Sequence, residues 1–249
     1  MRYLIHLRYN GTAYHGWQIQ PNANTVQQEV NTILRLLLKQ NIYTLGCGRT
    51  DAGVHAEQFF AHFDVEFPIP EVKELVKKLA AVNLPGIHFR DIFPVADSFN
   101  ARFDAISRTY EYRITTERNP FLDKLSLYCH QVLNVDAMQL AANKLLGRQD
   151  FGAFSKSHTQ VDNTFCHITE ATFSQGEGTI TFRISANRFL RNMVRAIVGT
   201  LIDIGKGKIT QAQFIEIIES KNRSKAGISA GASGLYLVKV AYPNFKEEC

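Results

Sequence analysis

Hydrophobic and polar positions alternate from the second residue of the chain. Tyr3, Ile5, Leu7 and Tyr9 stand against Leu4, His6 and Arg8, which predicts a strand over 2–9 with one wetter face. Val26, Val30, Ile33 and Leu37 then recur at helical spacing through Lys39, behind a Thr25/Gln28 pair that reads as a capping box. A short strand is predicted over 42–45. Further on, Phe59, Ala61, Phe63 and Val65 alternate with Phe60, His62 and Asp64, and Val72, Leu75, Val76 and Leu79 make a second amphipathic helix. A strand over 88–95 completes the series strand, helix, strand, strand, helix, strand, which is the split order of ferredoxin-like units.

The remainder repeats that order. A strand is predicted over 108–116, a helix over 136–146 ended by Gly147, and a hairpin of 167–174 with 179–186 around QGEG. A helix over 189–204, an extra one over 210–220 with its own Thr210/Gln213 capping box, and a strand over 235–242 follow. The expected fold is therefore α+β, with two pseudo-repeated ferredoxin-like (βαββαβ) halves sharing an extended, mainly antiparallel sheet. No low-complexity linker separates them. Element counting puts the boundary within 96–106, giving halves of 1–100 and 101–249 with an active-site cleft where they meet.

Bulk properties narrow the function without deciding it. A chain of 249 residues can bury a substantial core. A net charge of +5 and a pI near 9.0 suit a polyanionic partner. Cys47, Cys129, Cys166 and Cys249 lie far apart with no CxxC pair, so neither a zinc site nor a disulfide framework is indicated, and reduced thiols are expected. The start MRYLIHLRYN alternates where a signal sequence would be apolar, and no apolar run approaches bilayer length. A cytoplasmic protein with no membrane contact is the expectation.

The segment GRTDAGVH, residues 48–55, carries the first candidate chemistry. Glycine near each end permits positive φ and close approach of another molecule, so the loop can present Asp51 at the bottom of a site; the plainer reading is an aspartate that caps a turn. In the helix expected near residue 188 onward, Phe189, Leu190, Met193, Val194, Ile197, Val198 and Leu201 share one arc. Arg188, Asn192, Arg195 and Gly199 stack on the other, a stripe suited to an anion or simply a solvated face. Tyr110 and Tyr112, two apart on a strand, share a face. Tyr112 reads as core; Tyr14 and Trp17 are open between core and a stacking platform for a polyanionic partner. His15 and His55 invite a hydrolase reading, but no GxSxG or HExxH accompanies them, and GISAGASG, residues 227–234, lacks the GK[ST] ending of a phosphate loop.

GRTDAGVH, YNGTAYHGWQIQ, FNARFDAISRTYEY, DFGAFSKS, NRFLRNMVRAIVGTL and GLYLVKVAYP together resemble the tRNA pseudouridine synthases of the A type, over nearly the whole length. The resemblance implies isomerisation of uridine in the anticodon stem and loop of tRNA, at positions 38, 39 and 40, by a homodimer whose two subunits hold one tRNA. It makes Asp51 the nucleophile, Arg195 its ion-pair partner and Tyr110 the substrate tyrosine. It gives Arg49 a contact to RNA or to the flipped nucleotide, and Leu235, with Tyr236, a wall of the base pocket. Two departures stand out. Phe165 follows a threonine where the family has arginine, which removes one RNA contact, and the Gly231 loop has glycine where proline is expected.

The reaction breaks the ribose C1′–nitrogen bond and rejoins C1′ to carbon. Nothing is oxidised, no phosphate moves and no water is consumed, so no cofactor or metal is required. An adjacent guanidinium would keep the aspartate ionised in a dry pocket. Arg8, Arg49, Arg102, Arg188, Arg191 and Lys156 are candidates for the RNA backbone. Two other readings stay open: a non-catalytic RNA-binding module or chaperone of the same fold, and a nucleoside hydrolase that would release uracil.

Overall fold

The computed structural model describes residues 1–156 and 163–243. The chain divides into two compact units, Met1–Ile106 with Tyr236–Cys249, and Ser107–Leu235.

The first unit opens with β1 (Arg2–Tyr9), α1 (Val26–Leu38), β2 (Leu45–Gly46), β3 (His55–Asp64), α2 (Val72–Ala81) and β4 (Ile87–Val95). β1 is central and antiparallel to both β3 and β4, pairing Leu4 with His62 on one side and Phe93 on the other. The wetter face expected of β1 is not wet. Leu4 is fully buried, and His6 is buried with its ring stacked 4.7 Å from that of Phe60. Being interior to the sheet and covered on both sides leaves only Arg8 of this strand exposed.

α1 starts where the pattern places it, but the Thr25 capping box does not form. The first donors of the helix are already taken: Val26 N–H donates to Gly16 O and Gln27 N–H to Trp17 O. Thr25 Oγ1 is left buried with no hydrogen-bond partner among the described residues. The strand expected over 42–45 shrinks to Leu45–Gly46 for a related reason. Asn31 Oδ1 accepts from the Thr44 N–H and hydroxyl, and the Gln27 amide donates to Thr44 O, so helix side chains occupy the groups a strand neighbour would use.

The second unit contains β5 (Ser107–Thr115), β6 (Leu127–Tyr128), α3 (Val135–Ala142), β7 (Gly147–Asp150), β8 (Phe165–Gly176), β9 (Thr179–Ala186), α4 (Met193–Gly205) and α5 (Gln211–Ser220). Its strand order is β5–β9–β8–β7, with β6 parallel to β5. The hairpin of β8 and β9 turns at Glu177 and Gly178, where Gly178 takes φ +63°. At α5 the Thr210/Gln213 capping box is formed, with both reciprocal bonds present.

The last strand among the described residues is β10 (Leu235–Ala241), which pairs in parallel with β3 through Tyr236 opposite His55 and Leu237 opposite Ala56. Element order counts this strand with the second half, whereas by compactness Tyr236 onward groups with the first unit. No helix among the described residues is long and apolar enough to cross a membrane.

Candidate active site

Asp51 sits in the turn between β2 and β3, and its backbone is braced from both sides. Residues 51–54 form a turn closed by Val54 N–H to Asp51 O, with Gly53 at φ +79° in the third position, where glycine is the residue that fits. Gly48, by contrast, does not enter the left-handed region, and a Cβ there would meet open space. Of the two glycines, only Gly53 is thus needed for its conformation.

The brace is the segment 9–17. Trp17 N–H donates to Thr50 O, Gly53 N–H donates to Tyr14 O, and the Tyr9 and Thr50 hydroxyls lie 2.9 Å apart. Contact is backbone to backbone. A Cβ on Gly11 would stand 2.0 Å from Val54 O, and one on Gly16, itself at φ +86°, 2.3 Å from Thr50 O. The segment is itself anchored. Asn10 N–H donates to Gly86 O and the Tyr14 hydroxyl to Pro85 O, and Trp17 packs 4.2 Å from Phe59. Tyr14 and Trp17 are therefore core residues. His55 is structural as well: its Nδ1 accepts from Gly11 N–H and its ring stacks 4.5 Å from Tyr236. Asp51 is partly exposed and Arg49 exposed.

In the second unit the expected arginine stripe does not exist as a helix face. Asn192 takes a left-handed φ of +65° and α4 begins only at Met193, so Arg188, Arg191 and Asn192 precede the helix. Within α4 nearly every position is buried, Gly199 included. A Cβ on Gly199 would stand 1.8 Å from Ile228 O, so this glycine admits a neighbouring loop and not an anion.

Arg195 is gripped by that loop. Its Nε donates to Ala230 O at 2.8 Å, and Ala230 N–H donates back to Arg195 O at 2.9 Å. The next residue, Gly231, accepts from the Tyr112 hydroxyl at 2.8 Å. Burial pushes the Tyr112 hydroxyl well above the usual phenol range, with the Arg195 charge opposing. Gly234 lies against the Tyr112 ring, where a Cβ would come within 2.8 Å, and Leu235 follows, buried. Tyr112 is the packing residue expected. Tyr110 is only partly buried and meets Phe189 edge-on at 5.2 Å. Arg195, the 226–231 loop and the Tyr112 ring are thus one connected group, while Arg49 and Asp51 share the braced loop of the first unit.

The chain is similar to known proteins over nearly its whole length. A model of the tRNA pseudouridine synthase family matches residues 141–243. A tRNA pseudouridine synthase A of Parabacteroides distasonis is 46% identical over 97% of this chain and 96% of its own length. That of Porphyromonas gingivalis is 46% identical over 98% of each chain, and that of a Thermoanaerobacter species 39% identical over 96% of this chain and 98% of its own.

The chain belongs to the tRNA pseudouridine synthase A family.

Membership gives the loop geometry a chemical context that sequence reading of the loop alone lacked. Reasoning from sequence took Gly11 and Gly16 only as part of a family block; their signal was glycine flanking aromatic residues, and their use is to let one backbone lie on another. It missed Arg223, Ser229 and Thr200 altogether, although these hold the loop that grips Arg195. Of the RNA-backbone candidates, Arg8, Arg49, Arg102, Arg191 and Lys156 are exposed and Arg188 is half-buried. At the Phe165 departure a cation is still present. Arg148, from the adjacent strand, holds its guanidinium 4.8 Å from the Phe165 ring, which remains 40% exposed. Residues 158–162 of that block lie outside the described residues.

Proposed function

We propose that this chain isomerises uridine to pseudouridine in the anticodon stem and loop of tRNA, at positions 38, 39 and 40, with Asp51 as the nucleophile. Its family membership carries the reaction. The observation that favours Asp51 is the braced backbone on which it stands, since a fixed Cα narrows the positions its carboxylate can take and so lessens the reorganisation needed in the transition state.

Net chemistry is balanced within the substrate. The bond from C1′ to nitrogen breaks, a bond from C1′ to C5 forms, the C5 proton leaves to solvent and the released nitrogen takes up a proton. In this reading Asp51 attacks, and Tyr110 lies against the target base, its hydroxyl placed to move or hold a proton. Arg195 supplies the positive charge that holds a carboxylate ionised, Arg49 contacts the RNA, and Leu235 walls the base. The reading includes a homodimer on one tRNA, a cytoplasmic setting, and two pseudo-repeated ferredoxin-like halves. The order β4–β1–β3 with β2 on β3 supports that last point in the first unit.

Nucleoside analysis of an unmodified tRNA transcript after incubation tests the reaction. Pseudouridine without uracil is expected; free uracil would identify a hydrolase, and unchanged uridine a binding module.

A further inference from the structure

The loop 226–231 is fixed more heavily than a loop of its size requires. The Arg223 guanidinium donates to Ala226 O, Gly227 O and Ser229 Oγ, and Asn192 Nδ2 donates to the same Ser229 Oγ at 2.7 Å. Gly227 N–H donates to Thr200 Oγ1, which is buried on α4, and Ala230 exchanges two bonds with Arg195. Ile228 O rests on Gly199, whose missing side chain makes the contact possible. All of these bonds engage the backbone or a neighbouring side chain. The Ile228 side chain itself is 90% exposed.

A single exposed apolar side chain is ordinary, and most need no explanation. This one is distinguished by rigidity and by its surroundings. An isoleucine on a mobile loop could fold back onto the protein; here the network holds it out in water. The segments 187–200 and 221–235, which the network joins, contain Arg188, Arg191, Arg195, Lys221, Arg223 and Lys225 and no aspartate or glutamate. Two carboxylates approach from outside them. Asp203, beside Gly227, is paired with Lys208, and Asp150 is paired with Lys221. An apolar tip on a loop held by two guanidiniums, those of Arg195 and Arg223, complements a nucleic-acid strand, whose bases present apolar faces between anionic phosphates.

We propose that Ile228 is an apolar wedge that enters the base stack of the tRNA as the target uridine leaves it. This rests on the isomerase reading above. A uridine within a stem must be unstacked before its C1′ can be reached, and a rigid aliphatic side chain that fills the gap stabilises the open state. Ile228 is a positioning residue, since it meets the stack and not the reacting atoms.

The test compares two full-length tRNAs assembled by ligation, one with the target uridine paired to adenine and one with it opposite an abasic site, where no base pair holds it in the stem. For wild type, Ile228→Ser and Ile228→Leu, the readout is the ratio of kcat/KM on the unpaired substrate to that on the paired one. Loss of a wedge raises this ratio about tenfold in Ile228→Ser, and Ile228→Leu restores it. An unchanged ratio, whether activity is kept on both RNAs or lost equally on both, overturns the inference. If the wild type forms no pseudouridine on either RNA, the isomerase reading itself fails, which is a separate result.

Discussion

Gly16 and Thr50 meet backbone to backbone: a Cβ on Gly16 would lie 2.3 Å from the Thr50 carbonyl oxygen, and Gly16 also holds φ +86°. Thr50 immediately precedes Asp51, so whatever displaces one displaces the other. Gly16→Ala is expected to cost about 1–3 kcal/mol of stability through strain and overlap. It should lower kcat more than it lowers tRNA affinity. Gly48→Ala meets open space without left-handed backbone and should change stability by less than about 0.5 kcal/mol. Denaturant unfolding of both variants, alongside turnover, checks the contrast; equal destabilisation would refute it.

The two tyrosines of β5 should separate cleanly. Tyr112→Phe removes the bond to Gly231 O and is expected to cost about 0.5–1.5 kcal/mol, since that carbonyl loses its donor. Tyr110→Phe removes the hydroxyl that the proposed function sets against the target base, and it should slow pseudouridine formation by far more than it lowers stability. Thermal unfolding and single-turnover rates measured on both variants decide it, and a large stability loss in Tyr110→Phe would contradict the assignment.

Glycine at 231 is a departure that the local backbone does not require. Gly231 has φ −55° and ψ 153°, within the range proline imposes, and an added Cβ would meet only ordinary contacts at 3.9 Å. Gly231→Pro should stabilise the chain by about 0.4–1 kcal/mol by restricting the unfolded state. A rise in the denaturant midpoint at constant slope is the expected observation. A fall would mean that Ala230 resists the extended conformation proline demands of its predecessor.

Acid should weaken the first unit through its buried imidazoles. Burial, assisted by the charge of Arg90, lowers His6 to about 4. His62 is lowered too, by burial and then Arg2, with Asp64 and Asp104 opposing. A folded value below the unfolded value of about 6.5 means that the unfolded chain binds more protons between the two. Stability is therefore full above about pH 6.5 and declines as pH falls toward 4. Replacing His6 with leucine should flatten that decline in equilibrium unfolding between pH 6.5 and 4.5. An identical slope would exclude His6 as a cause.

How far the sequence carried the structure depends on whether a feature was local. β1, α2, β9 and the Thr210 capping box follow from periodicity and near-neighbour chemistry, and each stands within a residue or two of its expected place. The Thr25 box is absent, and the first two N–H groups of α1 are satisfied instead by a distant segment, Gly16 and Trp17, which no local pattern records. The helix expected over 189–204 lost its first turn to Asn192, whose left-handed conformation no hydrophobic period records.

The site shows the same division. Asp51 was visible because it lies in a glycine-bearing loop, but the brace that steadies it comes from residues some forty positions earlier. The stripe of Arg188, Asn192, Arg195 and Gly199 broke because α4 begins at Met193, which leaves only its last two members on the helix. What replaced the stripe, the grip of Ala230 on Arg195, depends on a loop whose sequence is small and unremarkable in period.

The role proposed for Asp51 is tested at the C5–H bond of the uridine. The most direct measurement is release of tritium to water from tRNA labelled at uridine C5, comparing wild type with Asp51→Asn while tRNA binding is measured in parallel. Wild type is expected to release the label, Asp51→Asn to release none, and the two to bind tRNA nearly equally. Undiminished release by Asp51→Asn would contradict that role.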